Sequence, residues 1–99
     1  MKPHGFHREA DAEYVAAAEY YAGLGPDLGG RFFDEIEQLI AEVCAHPRAY
    51  RRLRGEIRRH FTAAFPYGIV YEDRPDQIRI LAVINLRKDP DYWLHRSTD

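Results

Sequence analysis

FPYGIVYE (Phe65–Glu72) and QIRILAVINLR (Gln77–Arg87) decide the fold of this chain. In the first, Phe65, Tyr67, Ile69 and Tyr71 recur at every second position, the period of a strand with one face buried. That strand is expected from about Ala64 to Glu72. In the second, Ile78, Ile80, Ala82 and Ile84 share one face, while Leu81 and Val83 make the other face partly apolar too. A strand apolar on both faces reads as the central one. Asp73-Arg74-Pro75-Asp76 between the two is a compact turn, so they pair antiparallel. Upstream, Glu56–Phe61 supplies a further strand. Lys2–His7 is a candidate edge strand, weakened by Pro3 and Gly5.

The N-terminal half changes period. Ala10, Tyr14, Ala17, Tyr21 and Leu24 follow helical spacing, which predicts a helix over Arg8–Leu24 with Glu9, Glu13 and Glu19 off the stripe. Gly25-Pro26 ends it, with glycine suited to a left-handed cap. Asp27 is placed to cap a second helix reaching about Ala45, whose apolar face is Phe32, Ile36, Leu39, Ile40 and Val43; Pro47 stops it. The short connection makes an antiparallel hairpin. Neither the helix pair nor the sheet can bury its apolar side alone, and packing helices on one face of the sheet solves both problems.

Ninety-nine residues with 45% hydrophobic side chains suit one domain, 1–99, with one modest core. There is no apolar run long enough to cross a bilayer and no apolar signal-peptide core, which points to the cytoplasm. The lone Cys44 lies in the second helix's apolar pattern and reads as a small buried hydrophobe. His4 and His7 fall in a stretch expected to be mobile, and His46, His60 and His95 have no Cys or carboxylate at ligand spacing, so no metal site is expected. No phosphate loop, nucleophile elbow or recognition helix is present.

The formal charge of −2 hides an asymmetry. Residues 1–47 carry three basic against nine acidic side chains, a balance of −6. Residues 48–99 carry eleven against seven, a balance of +4. Six arginines fall between Arg48 and Arg59, and the chain ends near DPDYW (Asp89–Trp93). Such a basic segment beside aromatics suits an anionic or large protein target, or a solvated basic loop paired to nearby carboxylates. By strand parity Arg59 shares a face with Ile57 and Phe61 and is partly buried, while Arg58 points to solvent. Tyr92 and Trp93 either present an active surface or pack the terminal segment onto the sheet. Arginine is almost always protonated, so Arg58, Arg59 and Arg87 suit charge stabilisation better than proton abstraction, and Tyr92 is the obvious proton-transfer candidate.

The ordered set of YY (Tyr20-Tyr21), GPDLGGRFF (Gly25–Phe33), IRR (Ile57–Arg59), FPYGIVY and ILAVINLRKDPDYW (Ile80–Trp93) resembles the ParE branch of the RelE/ParE toxin superfamily, over roughly Phe6–Arg96. The resemblance implies an α+β fold in the order βααβββ and a toxin of a type II toxin–antitoxin pair held by a cognate antitoxin. RelE-like members cut mRNA on the ribosome, and ParE-like members poison DNA gyrase. RelE-like ribonucleases carry an Arg where this chain has Gly68, and many relatives a His where it has Asn85; Arg87 and Tyr92 match the family's late Arg and Tyr. Glycine and asparagine supply neither charge nor proton, which favours gyrase inhibition by protein binding. Arg58, Arg59, Arg87, Tyr92 and Trp93 are then the expected target-binding surface. The alternatives are a metal-independent endoribonuclease using Arg58, Arg87 and Tyr92, with ribosome and mRNA as partners, or a non-toxic antitoxin-binding relative. No cofactor, metal, membrane or sequence-specific DNA partner is implied.

Overall fold

The computed structural model describes residues 1–87 and 91–98. Lys88, Asp89 and Pro90 of the KDPDYW motif, and Asp99, lie outside the described residues. The elements are β1 (His4–Phe6), α1 (Arg8–Leu24), α2 (Leu28–Ala45), β2 (Arg51–Arg54), β3 (Ile57–Phe61), β4 (Tyr67–Asp73), β5 (Ile78–Asn85) and a final 3₁₀ helix, Leu94–Thr98. The strands form one sheet in the order β1-β5-β4-β3-β2. Only the β1–β5 pair is parallel. This is the expected α+β architecture with one strand more, because the basic segment forms the edge strand β2. Its RRLR sequence has no alternation of apolar and polar residues to announce a strand, and all four residues are exposed. The central position belongs to β4, not β5.

Both helices cover one face of the sheet. Ala10, Tyr14 and Ala17 of α1 and Phe32, Ile36, Leu39, Ile40 and Val43 of α2 pack against Phe65, Ile69, Tyr71, Ile78, Ile80 and Val83. Cys44 is buried there too, and burial raises its thiol pKa. Leu24, placed on the α1 stripe by spacing, is exposed at the last position of the helix. Two helix-end expectations change as well. Gly25 is extended (φ −174°) rather than left-handed, and Asp27 occupies the N-cap of α2 without a side-chain cap bond. His4 and His7 are not part of a loose terminus: His4 is in β1, and His7 is buried at the N-cap of α1, where its Nδ1 accepts from the Glu9 amide.

The opposite, outer face holds a second apolar cluster of Ile57, Val70, Leu81, Ala82, Ile84 and Trp93. Simple alternation along β5 put Ile78, Ile80, Ala82 and Ile84 on one face. The register shows why that fails. Val70 pairs with Ala82 but Tyr71 pairs with Ile80, so Leu81 is an extra residue in a β-bulge. Past the bulge the parity reverses: Ala82 and Ile84 face outward, and Val83 faces the helices. A one-residue insertion flips every later side chain.

Gly68, opposite Phe61, is fixed by sterics. A Cβ there would lie 1.7 Å from Phe61 Cδ1 and 2.7 Å from the His60 carbonyl oxygen. The Phe61 ring therefore fills the place a side chain at 68 would take, a cross-strand aromatic–glycine pairing. Gly68→Ala is expected to lower stability by about 1–3 kcal/mol, the usual cost of overpacking. Urea denaturation checks this, and an unchanged midpoint would show that the Phe61 ring is free to move aside.

Candidate functional site

The edge of β5 is paired with β1 only over Ile78–Ile80. The His7 amide takes the Ile80 carbonyl at 2.9 Å, and there the chain turns away into α1. Beyond that point side chains finish the edge. Arg96 Nη1 donates to the carbonyl of the bulged Leu81 at 3.0 Å, and the Val83 amide donates to Glu13 Oε1 at 3.1 Å. Glu13 and Arg96 meet as a fork, Nη1 to Oε1 at 2.9 Å and Nη2 to Oε2 at 3.1 Å. The Tyr92 hydroxyl donates to Glu13 Oε2 at 2.7 Å, with the Arg96 guanidinium 4.9 Å above its ring. Sequence spacing places Glu13 off the apolar stripe and does not single out Arg96. No local signal marks either, since Glu13 meets Val83 and Arg96 from 70 and 83 positions away and Arg96 reaches Leu81 from 15.

This network settles the state of Tyr92. Burial first, then the hydrogen bond and charge of Glu13, raise its pKa well above the ordinary value of 10.0. The phenol stays protonated and points at a helix carboxylate. Burial works against the charge on Arg96, but the Glu13 bond and charge outweigh it and its pKa rises. The terminal segment is tied down again by Arg74, which donates from Nη2 to the Ser97 carbonyl at 2.7 Å, and by Ser97, whose hydroxyl donates to Glu72 at 3.0 Å.

The residues expected to form one surface part company. Arg58 is 7% exposed, on the helix face of β3 opposite Tyr71. It donates to the Tyr50 carbonyl at 3.3 Å and lies 3.9 Å from Glu56. The expectation that Arg58 faces solvent is corrected: parity was right, but the solvent-facing side of β3 is the other one. Next to it, His60 stacks on Tyr50 (centroids 3.7 Å apart) and contacts Glu42 at 2.8 Å. Trp93 is buried in the outer cluster, where it packs the terminal segment onto the sheet.

Arg59 lies on the outer face with its guanidinium 4.8 Å from the Phe61 ring. With Leu53, Arg54, Phe61, Ile84, Asn85 and Trp93 among its neighbours it rims an open cavity of ≈ 320 Å³. Arg58, Arg87 and Tyr92 do not line it. Arg87 is exposed in the turn after β5, where the Asn85 side-chain oxygen accepts the Arg87 amide at 2.9 Å. A second groove lies along α1 and the far end of β5, lined by Ala16, Ala17, Tyr20, Tyr67, Val83 and Tyr92 among others. Among the described residues no cluster of His, Cys, Asp or Glu suits a metal ion, and no helix is long and apolar enough to cross a membrane.

A helix hairpin on this sheet, with a Gly–Phe pair and a tied-down Tyr where nuclease relatives are expected to carry working groups, favours the ParE side of the resemblance. The family model for the ParE toxin of type II toxin–antitoxin systems, parDE, matches residues 5–90. The chain belongs to this family. It is thus a ParE-family toxin of a type II toxin–antitoxin system. A chain from the chromosomal ParDE toxin–antitoxin system of P. aeruginosa is similar in structure, with a TM-score of 0.72 and 20% identity over 86% of this ParE-family chain and 96% of that one. At that identity the likeness shows a shared fold. No curated protein matches the sequence.

Two outcomes follow from the geometry. Glu13→Ala strands a buried Arg96 and the Val83 amide and is expected to cost about 2–3 kcal/mol, whereas Glu56→Ala on the exposed hairpin costs under about 0.5 kcal/mol. Equal effects in urea titrations would remove the special weight given to Glu13. The Glu42 carboxyl is held below its ordinary 4.5, first by its hydrogen bond to His60 and then by Gln38. Its folded value lies below its unfolded one, so this contact stabilises above about pH 4.5 and is lost as pH falls through the folded value. Glu42→Gln should flatten the acid limb of the unfolding midpoint against pH, and an unaltered limb would contradict the assignment.

Proposed function

We propose that this ParE-family toxin inhibits DNA gyrase by binding it, without turnover chemistry, and that a cognate antitoxin neutralises it in the cytoplasm, the 99 residues acting as a single toxin domain. The observation that carries the reading is the Gly68–Phe61 pair. Cleavage through a 2′-hydroxyl needs a base, an acid and cations around the phosphate. At position 68 this chain has an aromatic ring packed over a glycine, not a cation. The other candidates point the same way. Tyr92 is hydrogen-bonded to Glu13, the Asn85 side chain closes its own turn, and Arg58 is buried on the opposite face from Arg59.

Within this reading Arg59 and Arg87 are the residues that touch the target, and Arg58, Tyr92 and Trp93 hold the surface in shape. The antitoxin reading is supported by apolar side chains that α1 and α2 leave in solvent. Val15, Tyr20, Leu24 and Phe33 are exposed, and Tyr20 also lines the groove that runs to Tyr67 and Val83. A disordered antitoxin segment that folds on contact would cover them.

Controlled expression in a bacterial host, with growth and reporter-plasmid supercoiling read together, tests the proposal. Growth arrest with loss of negative supercoiling, relieved about tenfold by Arg59→Ala/Arg87→Ala in a folded protein, is the expected result. Arrest with normal supercoiling and codon-positioned mRNA cuts by primer extension would replace gyrase with the ribosome. Harmless expression with tight antitoxin binding would leave only an antitoxin-binding module.

A further inference from the structure

Among the described residues the sheet ends at β2, and no strand lies beyond it. An edge strand presents unpaired backbone N–H and C=O groups, which form a template for another extended chain. Here the edge also carries an unbalanced charge. Arg51 pairs with Arg59, and Arg52 with Arg58, across the hairpin. Like charges facing each other across two strands destabilise the pair. Glu56 answers part of this, 3.3 Å from Arg52 and 3.9 Å from Arg58. Arg51, Arg54 and Arg59 have no ion pair among the described residues. The left-handed Gly55 (φ 55°) turns the chain between β2 and β3, so the arginines of both strands crowd one end of the sheet.

Beside this edge lies the outer-face cavity. Leu53, 38% exposed, and Arg54 form its β2 wall, Phe61, Val70, Ile84 and Trp93 an apolar floor, and Asn85 and Asp91 its polar far side. Three demands thus meet in one place: open backbone groups, uncompensated guanidinium charge and a small apolar hollow. A second copy of the chain edge to edge would set these arginines against the same arginines. A polyphosphate would answer the charge but neither the backbone nor the hollow. An extended peptide with carboxylates and apolar residues in alternation answers all three, since a strand places successive side chains on opposite faces.

We propose that the free edge of β2 takes an acidic, extended peptide segment of a protein partner as a sixth strand. Its carboxylates sit on Arg51, Arg54 and Arg59, and one bulky apolar side chain enters the hollow beside Leu53. Strand addition at this edge is independent of how gyrase is bound, so its failure leaves the functional reading intact.

The test uses the whole protein and a fluorescein-labelled heptapeptide alternating glutamate with valine, with a leucine at its centre. Fluorescence anisotropy gives binding, and amide chemical shifts give its place. The expected result is saturable binding with shifts at Arg51–Arg54, weakened at least about tenfold by N-methylating alternate peptide amides and by Arg51→Glu/Arg54→Glu. Both substituted positions are exposed, and retained amide dispersion shows that the variant is folded. Equal affinity for the N-methylated peptide would reduce the site to bare electrostatics and overturn strand addition. Shifts at Leu81–Asn85 would move the site to the other edge and overturn it too. Tighter binding of an eight-nucleotide oligothymidylate with the same shifts would make β2 a phosphate surface. No binding at all would mean that the arginines merely guard the edge against pairing.

Discussion

Everything on the β5 side of this molecule depends on how an interrupted strand edge is completed. β1 is three residues long and covers less than half of β5. Beyond it a buried carbonyl at Leu81 and an amide at Val83 would be left without partners, and each orphaned buried group costs about 1–3 kcal/mol. One carboxylate from α1 and one guanidinium from the terminal 3₁₀ helix take both, and they neutralise each other in doing so. The same fork fixes the position of α1 on the sheet and of the terminal segment across its edge. It also explains why Tyr92 points inward, where burial first and then Glu13 keep it protonated.

The second organising feature is charge. The acidic half of the sequence becomes the helical layer, and the basic half becomes the sheet with its open β2 end. The two halves touch where acid meets base, at Glu13–Arg96, Glu9–Arg96 and Glu42–His60. Arg51, Arg54 and Arg59, which have no ion pair among the described residues, lie on the outer face and the β2 edge. An apolar helix surface and a cationic sheet end are suited to segments of different chemistry.

Much of the fold was legible because it rests on periodicity. The helix boundaries Arg8–Leu24 and the end near Ala45 follow from stripe spacing and the Gly-Pro and Pro47 stops, and the Tyr67–Tyr71 face from strict alternation. Three readings failed for one shared reason. β2 has no alternation to detect, the β5 bulge adds a residue that alternation cannot register, and Arg58 was assigned the right parity but to the solvent side, whereas Arg59 is partly buried with Ile57 and Phe61 as expected. In each case the missing information was what lies opposite in space. The expected surface is divided by burial: Arg59 is half-buried and Arg87 exposed, while Arg58 and Trp93 are buried on opposite faces of the sheet.

The sequence by itself determined the α+β class, the helix hairpin, the antiparallel β3–β4–β5 core and, through its ordered motifs, the toxin family, because burial periods and turn residues are local properties of the chain. Only the tertiary structure decided which face of the sheet each arginine serves, that Phe61 fills the place of a side chain at Gly68, and that Glu13 and Arg96 close the β5 edge. Those depend on contacts between residues far apart in sequence, and a register shift of one residue reverses them.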